Sequence, residues 1–154
     1  VLDIACGNGR LLNMFAKQHR INGYGVDIAD QMIEQAQKLN PDMNFSVGTC
    51  EKISLPDQSC DVITVCAAYH HFPHVDLFAR EAFRLMKDGG HLYIAEVYYP
   101  SAMRILANPF MPLLNKGDVK IYSPAAIVST LEKAGFKGAT YSIQDHIQIV
   151  SAHK

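Results

Sequence analysis

Residues 1–10 of this 154-residue chain read VLDIACGNGR, an apolar run that leads into two glycines separated by one residue. The apolar run predicts a short buried strand over residues 1–5. A helix is predicted directly after the glycines, because apolar residues recur there at helical spacing: Leu11, Leu12, Phe15 and Ala16. Glycines at such a corner let a ligand approach the backbone, and the start of the helix offers unpaired N–H groups.

The same alternation of strand and helix continues along the chain. Further strands are predicted at residues 24–28, 44–47, 61–66 and 92–97, and residues 61–66 are β-branched enough to be buried on both faces. Helices are predicted from a cap at Asp30, from Val75 to the glycine pair Gly89-Gly90, and from the capped start Ser123-Pro124 to Gly135. Residues 139–143 and 147–152 are too close in sequence for a parallel crossover and predict an antiparallel hairpin around Asp145.

This order predicts an α/β protein with a Rossmann-like doubly wound fold. It is a three-layer sandwich whose mostly parallel sheet carries helices on both faces and ends in the antiparallel hairpin. In such a sheet ligands bind at the carboxyl ends of the strands. No linker or repeat divides the chain, so residues 1–154 are predicted to form a single domain.

Composition narrows the classes of function. The formal charge is −1, from 14 Lys plus Arg against 15 Asp plus Glu, and neither sign forms a run, so nucleic acid is not the expected partner. The four cysteines lack zinc-site spacing and predict reduced thiols in the cytoplasm. The longest apolar run, residues 62–69, is far shorter than a membrane span, and no basic segment leads an apolar one at the start.

Residues 100–122 interrupt the alternation with three prolines and several apolar side chains. We interpret this stretch as a partly helical flap over a substrate. Its apolar residues, which predict an acceptor with a hydrophobic body, are Met103, Phe110, Met111, Leu113 and Leu114. The same side chains could instead bury against the sheet or against a second copy in a homodimer.

Asp27 ends the second strand, 18 residues beyond Gly9. A carboxylate at that place accepts hydrogen bonds from both hydroxyls of a ribose, which predicts a nucleoside ligand. A dinucleotide site would place a third glycine three positions after Gly9, and that position is Leu12. The glycine corner is therefore interpreted as a nucleoside pocket rather than a phosphate loop.

Four segments of the chain, in this order and spacing, resemble the successive motifs of class I S-adenosylmethionine-dependent methyltransferases, of the type 11 or UbiE-like group that acts on small molecules. They are VLDIACGNG, YGVDIADQMIEQA, VGTCEKISLPDQSCDVITVCAAYHHF and EAFRLMKDGGHLYIAE. The resemblance covers about residues 1–97, and the closing helix and hairpin resemble the family's ending. It implies a seven-stranded sheet with one reversed strand, S-adenosylmethionine as cofactor and a small-molecule methyl acceptor.

The resemblance also implies a set of cofactor contacts. Asp27 would bind the ribose, Ile28 and Met32 would lie against the adenine, and Thr49 stands where the family often has an acid for the adenine amino group. Thr49 can still accept a hydrogen bond there, without the help of a charge. The remaining predicted cofactor residues are Asp3, Ala5, Cys6, Gly7, Gly9, Cys50, Cys66 and Ala67. Ile28 and Met32 could equally be core residues, and Cys6 is expected to be a small packing residue rather than a nucleophile.

His70, His71 and Glu96 are the candidate catalytic residues. The two histidines follow the fourth strand, where a base can take a proton from the acceptor, although they could merely line the cofactor. Glu96 ends the fifth strand and could contact an acceptor or form a salt bridge. No metal site is expected at His70, His71 and His74, because adjacent residues point apart and no acid or thiol completes the set.

The sequence is also compatible with two other functions. A non-catalytic nucleoside-binding or scaffold module would keep the fold without turnover, and a nicotinamide-dependent oxidoreductase would rest on Gly7, Gly9 and Asp27 alone. A central strand at residue 1 leaves no room for the helices that precede it in the resembling family. We therefore expect that an N-terminal segment covering the site is missing.

Overall fold

The computed structural model describes residues 1–113, 117 and 119–154, and of residues 112 and 113 it describes the backbone alone. The strands are β1 (Leu2–Ile4), β2 (Tyr24–Asp27), β3 (Asn44–Val47), β4 (Cys60–Cys66), β5 (Met86–Val97), β6 (Lys137–Gln144) and β7 (Ile147–His153). The α-helices are α1 (Arg10–Ala16), α2 (Asp30–Leu39), α3 (Val75–Leu85), α4 (Ser101–Ala107) and α5 (Pro124–Lys133). Two 3₁₀ helices, Tyr69–His71 and Asn108–Leu113, follow β4 and α4.

The strands form one seven-stranded sheet in the order β3-β2-β1-β4-β5-β7-β6. Neighbours are parallel from β3 through β5, and β7 runs antiparallel to both β5 and β6. Helix α1 packs against α2, and α3 packs against α5. The doubly wound, mostly parallel sheet with an antiparallel ending is therefore confirmed. Its order reverses beside β1, so the carboxyl ends of β1, β2 and β4 open onto one crevice.

The apolar alternation of the sequence places the core. Leu2, Ile4, Ile63 and Leu92 are fully buried between the sheet and the helices, in a large cluster that includes the inner faces of α3 and α5. A smaller cluster under α1 and α2 contains Leu12, the residue that stands where a phosphate loop would have glycine. Leu12 is fully buried, so it packs in the core and does not face a ligand.

The boundary between α3 and β5 differs from the prediction. The helical pattern extends through Met86 and suggests an end at Gly89-Gly90, whereas α3 ends at Leu85 and β5 begins at Met86. Met86 pairs with Cys60 and His91 with Val62, so the strand is irregular between these pairs. A Cβ on Gly90 would lie 2.7 Å from Met86 Cγ and 3.0 Å from the Asp61 carbonyl. The glycine therefore allows the close backbone packing of this irregular part of the strand, and it does not end the helix.

Two smaller expectations are also corrected. The predicted strand over residues 61–66 is buried on both faces only at Ile63–Val65, because Asp61 and Cys66 at its ends are exposed and Val62 is half-buried. Asp30 is not a cap: it is the first residue of α2, after Ala29, and no side chain caps that helix. The carboxylate at this place that binds a backbone N–H is Asp27, as described below.

The C-terminal elements follow their sequence signals. The Ser123 hydroxyl accepts a hydrogen bond from the Ala126 N–H at 3.1 Å and caps α5. Phe136 packs back after the helix, edge-on to Phe83 with ring centroids 5.2 Å apart. A two-residue turn joins β6 to β7, and Asp145 and His146 both have positive φ, as a type I′ hairpin turn requires.

The predicted flap over residues 100–122 is partly helical, as expected. Helix α4 has no buried residue, and Met103, Ile105 and Leu106 are more than half exposed. The Asn108 side chain anchors it, donating to the Ile121 carbonyl at 3.1 Å and accepting from the Ile121 N–H at 2.9 Å. Leu114 and the side chain of Leu113, both assigned to the flap from the sequence, lie outside the described residues.

Candidate functional site

A cavity of about 760 Å³ opens at the carboxyl ends of β1, β2, β3 and β4; we call it the glycine-loop cavity. Its volume is typical of sites for small molecules and cofactors. Its lining residues are Ala5, Cys6, Gly7, Val26, Asp27, Ile28, Gly48, Thr49, Cys50, Glu51, Cys66, Ala67, Ala68, His71, Phe72, Pro73 and Gly117.

Most residues predicted for the cofactor meet in this cavity. Those that line it are Ala5, Cys6, Gly7, Asp27, Ile28, Thr49, Cys50, Cys66 and Ala67. Asp3, Gly9 and Met32 do not. Ile28 is 76% exposed, so it is available to a ligand and is not the core residue of the alternative interpretation.

The Asp27 carboxylate holds the glycine corner in place. Its Oδ2 accepts a hydrogen bond from the Gly7 N–H at 2.8 Å, and its Oδ1 accepts one from the Ala29 N–H at 2.9 Å. Each carboxylate oxygen has a second lone pair, so both can also accept from a ligand. A Cβ built on Gly7 meets nothing within 4 Å, which shows that the loop backbone faces open space here.

Gly9 has a packing role. Its φ is +73°, and a Cβ at this position would lie 2.8 Å from Asn40 Nδ2, 3.0 Å from Ala36 Cβ and 3.1 Å from the Phe45 ring. The Asn40 amide donates to the Gly9 carbonyl at 3.2 Å. The glycine therefore lets the loop lie directly on α2 and β3, while Gly7 is the glycine that faces the cavity.

Asp3 lies buried beneath the loop, with 2% of its surface exposed. Its Oδ1 accepts a hydrogen bond from the Thr64 hydroxyl at 2.8 Å. Burial raises the pKa of Asp3 to about 7; the Thr64 hydrogen bond opposes this rise, and the charge of Asp27 adds to it. Asp3 is thus a carboxyl whose charge changes near neutral pH.

This pKa predicts an unusual dependence of stability on pH. An exposed aspartate has a pKa of 3.8, so between pH 4 and 7 the folded chain binds a proton that the unfolded chain releases. Stability from this group is fully present below pH 3.8 and is lost as the pH rises through 7. We expect the free energy of unfolding of the ligand-free chain to fall by about 2–3 kcal/mol from pH 5 to pH 8 through Asp3 alone.

Urea unfolding at both pH values measures this effect. Asp3→Asn should remove that part of the pH dependence, whereas Asp88→Asn, at an exposed position, should leave it unchanged. An Asp3→Asn variant that keeps the slope of the parent chain would contradict the prediction.

The cysteines of the site are protonated thiols at neutral pH. Burial is the largest cause in each case: it raises the pKa of Cys6 to about 12 and that of Cys50 to about 11, and it also raises the pKa of Cys66. Nearby carboxylates raise all three pKa values further. Because a thiolate is the reactive form, this finding supports the interpretation of Cys6 as a packing residue.

A second cavity, of about 370 Å³, lies between β5, β7 and the flap; we call it the flap cavity. It is mostly apolar. Its lining residues are Tyr69, His70, Glu96, Val97, Tyr99, Met103, Ala107, Met111, Ile121, Tyr122 and Gln148. The flap thus supplies one wall of this cavity, and the ends of β5 and β7 supply another.

His70 and Glu96 form a pair at this second cavity. Glu96 is buried, and its Oε1 accepts a hydrogen bond from the Tyr69 N–H at 2.6 Å. His70 Nδ1 lies 2.8 Å from Glu96 Oε2. An ionised carboxylate can only accept, so the His70 Nδ1–H is the donor in this hydrogen bond.

His71 lies at the other cavity. It lines the glycine-loop cavity, and its Nδ1 is 3.1 Å from the Gly117 carbonyl oxygen. The ring centroids of His70 and His71 are 3.9 Å apart. These two consecutive residues therefore line two neighbouring cavities. His74 is the residue before α3 and makes no side-chain cap. Across the described residues no group of three or more His, Cys, Asp or Glu side chains could hold a metal ion.

Two polar residues of these cavities were not singled out from the sequence. Glu51 lines the glycine-loop cavity, and its buried Oε1 has no hydrogen-bond partner among the described residues. Gln148 lines the flap cavity, and its buried Oε1 also has no hydrogen-bond partner among the described residues. The burial of Gln148 could have been predicted from the sequence. Buried and exposed residues alternate along β7, and Gln148 shares the buried face with Val150 and Ala152.

None of the helices in the described part of the chain is both long enough and apolar enough to cross a lipid bilayer.

Comparison with known proteins gives consistent matches. A family model described as a methyltransferase domain matches residues 2–94. The chain is 30% identical to the demethylmenaquinone methyltransferase of Thermotoga maritima, over 89% of this chain and 69% of that protein. It is 35% identical to the 2-methyl-6-phytyl-1,4-hydroquinone methyltransferase of a Synechocystis species, over 62% of this chain but only 31% of that protein's length.

Solved structures agree on the fold. The S-adenosylmethionine-dependent methyltransferase of Mesorhizobium loti superposes with a TM-score of 0.82 at 18% identity, over 99% of this chain and 90% of that one. At this identity the match concerns the fold.

Proposed function

The chain belongs to the methyltransferase-domain family, as a class I S-adenosylmethionine-dependent member, and we propose that it transfers a methyl group from this cofactor to a small-molecule acceptor. The observation that carries the proposal is the pair of cavities at the segment Tyr69–His71. A transferase must hold two ligands side by side, and here His70 lines one cavity while His71 lines the other.

The residues of the glycine-loop cavity fit the cofactor. The Asp27 oxygens keep lone pairs for the two ribose hydroxyls, and the exposed Ile28 offers an apolar surface to the adenine. Open space at Gly7 lets the ligand approach the backbone. Glu51 Oε1 is a buried acceptor in need of a donor, and the adenine amino group is such a donor. We propose that Glu51 compensates for the acid that Thr49 replaces.

We assign the flap cavity to the acceptor and proton transfer to His70. When bound, S-adenosylmethionine supplies a methyl group on a positively charged sulfur. Glu96 fixes the His70 ring through Nδ1, so Nε2 is the atom that takes a proton from an acceptor hydroxyl. Such a base serves methylation at oxygen, and also at a ring carbon activated by a neighbouring hydroxyl. His71 and Phe72 contribute to the wall on the cofactor side.

The proposed function also includes a role for the flap and a class of partner. We propose that residues 100–122 close over the acceptor, because Met103 and Met111 line its cavity. The partner is a small molecule rather than nucleic acid, in keeping with a near-neutral chain without runs of charge. Three further predictions rest on the sequence alone: a single domain over residues 1–154, a homodimer through the apolar residues of the flap, and a cytoplasmic location.

The proposal is tested by titration calorimetry with S-adenosylhomocysteine, with NADH as the comparison ligand. We expect saturable heat from the first ligand and none from the second. Methyl-labelled S-adenosylmethionine incubated with a metabolite extract should then yield a labelled product. Absence of heat with S-adenosylhomocysteine would count against cofactor binding, and binding without any labelled product would favour a non-catalytic module.

A further inference from the structure

The Gln148 side chain is one of the few buried polar groups of the chain, with 2% of its surface exposed. Its Nε2 donates a hydrogen bond to the Tyr122 carbonyl oxygen at 3.1 Å. Its Oε1 is buried and has no partner among the residues that the structure describes. Because native proteins leave few buried polar atoms without a partner, this oxygen points to a group that is not part of the described chain.

The orientation of this amide is fixed. Rotating it by half a turn would bring Oε1 against the Tyr122 carbonyl, which is also an acceptor, and would break the one hydrogen bond that the side chain makes with described residues. Gln148 therefore offers an acceptor atom, and a ligand that satisfies it has to bring a donor. An O–H or N–H group meets that requirement, and an ether, a carbonyl or a carboxylate does not.

Gln148 lies beside the His70–Glu96 pair. Glu96 and Gln148 face each other directly in the antiparallel register of β5 and β7, so their side chains are on the same face of the sheet. Both line the flap cavity. The two Glu96 oxygens already accept from Tyr69 and His70. Gln148 Oε1 is thus an unsatisfied acceptor next to this pair.

The rest of the flap cavity limits the charge of its ligand. Among its described lining residues there is no lysine or arginine, and Val97, Met103 and Met111 contribute apolar surface. An anionic ligand would lose its hydration without gaining a cation, and it would lie near the buried Glu96 carboxylate. The cavity is therefore suited to a neutral molecule with a largely apolar body.

We propose that Gln148 is a specificity-determining residue that accepts a hydrogen bond from a hydroxyl or N–H group of a neutral, mostly apolar acceptor. This proposal rests on the assignment of the flap cavity to the acceptor. One polar group of the acceptor faces His70, and a second one donates to Gln148. An analogue without the second donor leaves Gln148 Oε1 unsatisfied, and we expect it to bind about 10- to 100-fold more weakly.

The test measures binding in the presence of saturating S-adenosylhomocysteine, by ligand-observed NMR, with a panel of small aromatic probes. The panel contains the three benzenediol isomers, phenol and benzoate. We expect at least one benzenediol to bind about tenfold or more tightly than phenol, and benzoate not to bind. Equal affinity of phenol and all benzenediols, binding of benzoate, or no binding by any probe up to millimolar concentration would overturn the proposal.

A matched pair of variants assigns the preference to this residue. Gln148→Met keeps the volume and removes the amide, so the benzenediol preference should disappear while phenol affinity stays within about twofold. Gln144→Met, on the exposed β6 of the same hairpin, should leave both affinities unchanged. A Gln148→Met variant that retains the preference would overturn the proposal.

The probe panel on the parent chain is decisive even if a variant fails to fold. The calorimetric titration with S-adenosylhomocysteine separates the two hypotheses: absence of heat contradicts the proposed function, whereas normal heat with an indifferent probe panel contradicts the role of Gln148 alone.

Discussion

His70→Gln is expected to lower kcat for methyl transfer by about 100- to 10,000-fold, the range typical for the loss of a general base. Glutamine can keep a hydrogen bond to Glu96, but it has no lone pair basic enough to take a proton from a hydroxyl. The affinity for S-adenosylhomocysteine should change little, because His70 lines the flap cavity and not the glycine-loop cavity. The measurement compares kcat with an acceptor found in the labelling experiment and Kd by calorimetry.

Two further variants separate catalysis from structure. Glu96→Gln keeps the acceptor for the Tyr69 N–H but directs an NH₂ group at His70 Nδ1, which moves the ring proton to Nε2. The ¹⁵N chemical shifts of the ring should report this change of tautomer together with a fall in kcat, which a purely structural role would not produce. His74→Gln, at an exposed position, is the control. A His70→Gln variant with kcat within about threefold of the parent would remove His70 from the mechanism.

Asp27→Asn is expected to weaken S-adenosylhomocysteine binding by about 100-fold or more. The carboxylate accepts from the Gly7 and Ala29 N–H groups with different oxygens, so an amide in its place sets a donor against one of these donors. The variant also loses the charge that strengthens hydrogen bonds from the ribose hydroxyls, and charge-assisted bonds contribute about 1.5–3 kcal/mol each. Calorimetry at constant pH measures the change in Kd.

Asp30→Asn is the matched control for this prediction. Asp30 lies three residues away, in the first turn of α2, and does not line the cavity. Its replacement should leave the affinity within about twofold. Comparable losses in both variants would mean that net charge, rather than the geometry of Asp27, determines binding.

Local signals were sufficient for most of the fold. Strand β3 has the predicted bounds, and the helix capped by Ser123 begins where its proline indicates, because these features depend on neighbours in sequence. The end of α3 could not be predicted in this way. Met86 continues the helical pattern, but it pairs with Cys60 in a distant strand, and that tertiary contact decides its conformation.

The candidate site likewise has parts that the local sequence predicts and parts that depend on distant residues. Asp27 and Gly7 could be placed from the order of strand, glycine and strand, since parallel strands bring their carboxyl ends together. The different roles of Gly7 and Gly9 depend on Asn40, which directly follows α2, and on Phe45 of β3, and both contact the loop. The pairing of Glu96 with Gln148 depends on the register of a hairpin about 50 residues later in the chain, which no local pattern specifies.

The adjacency of His70 and His71 also limits which sequence changes the segment after β4 can accept during evolution. A substitution in the segment after β4 changes one wall of one cavity, but the insertion or deletion of a single residue there would shift which side chain faces the cofactor and which faces the acceptor. The His70 carbonyl also accepts hydrogen bonds from the Val119 and Lys120 N–H groups of the flap, so a shift would displace the flap as well. Evolution can therefore change the composition of this segment far more readily than its length.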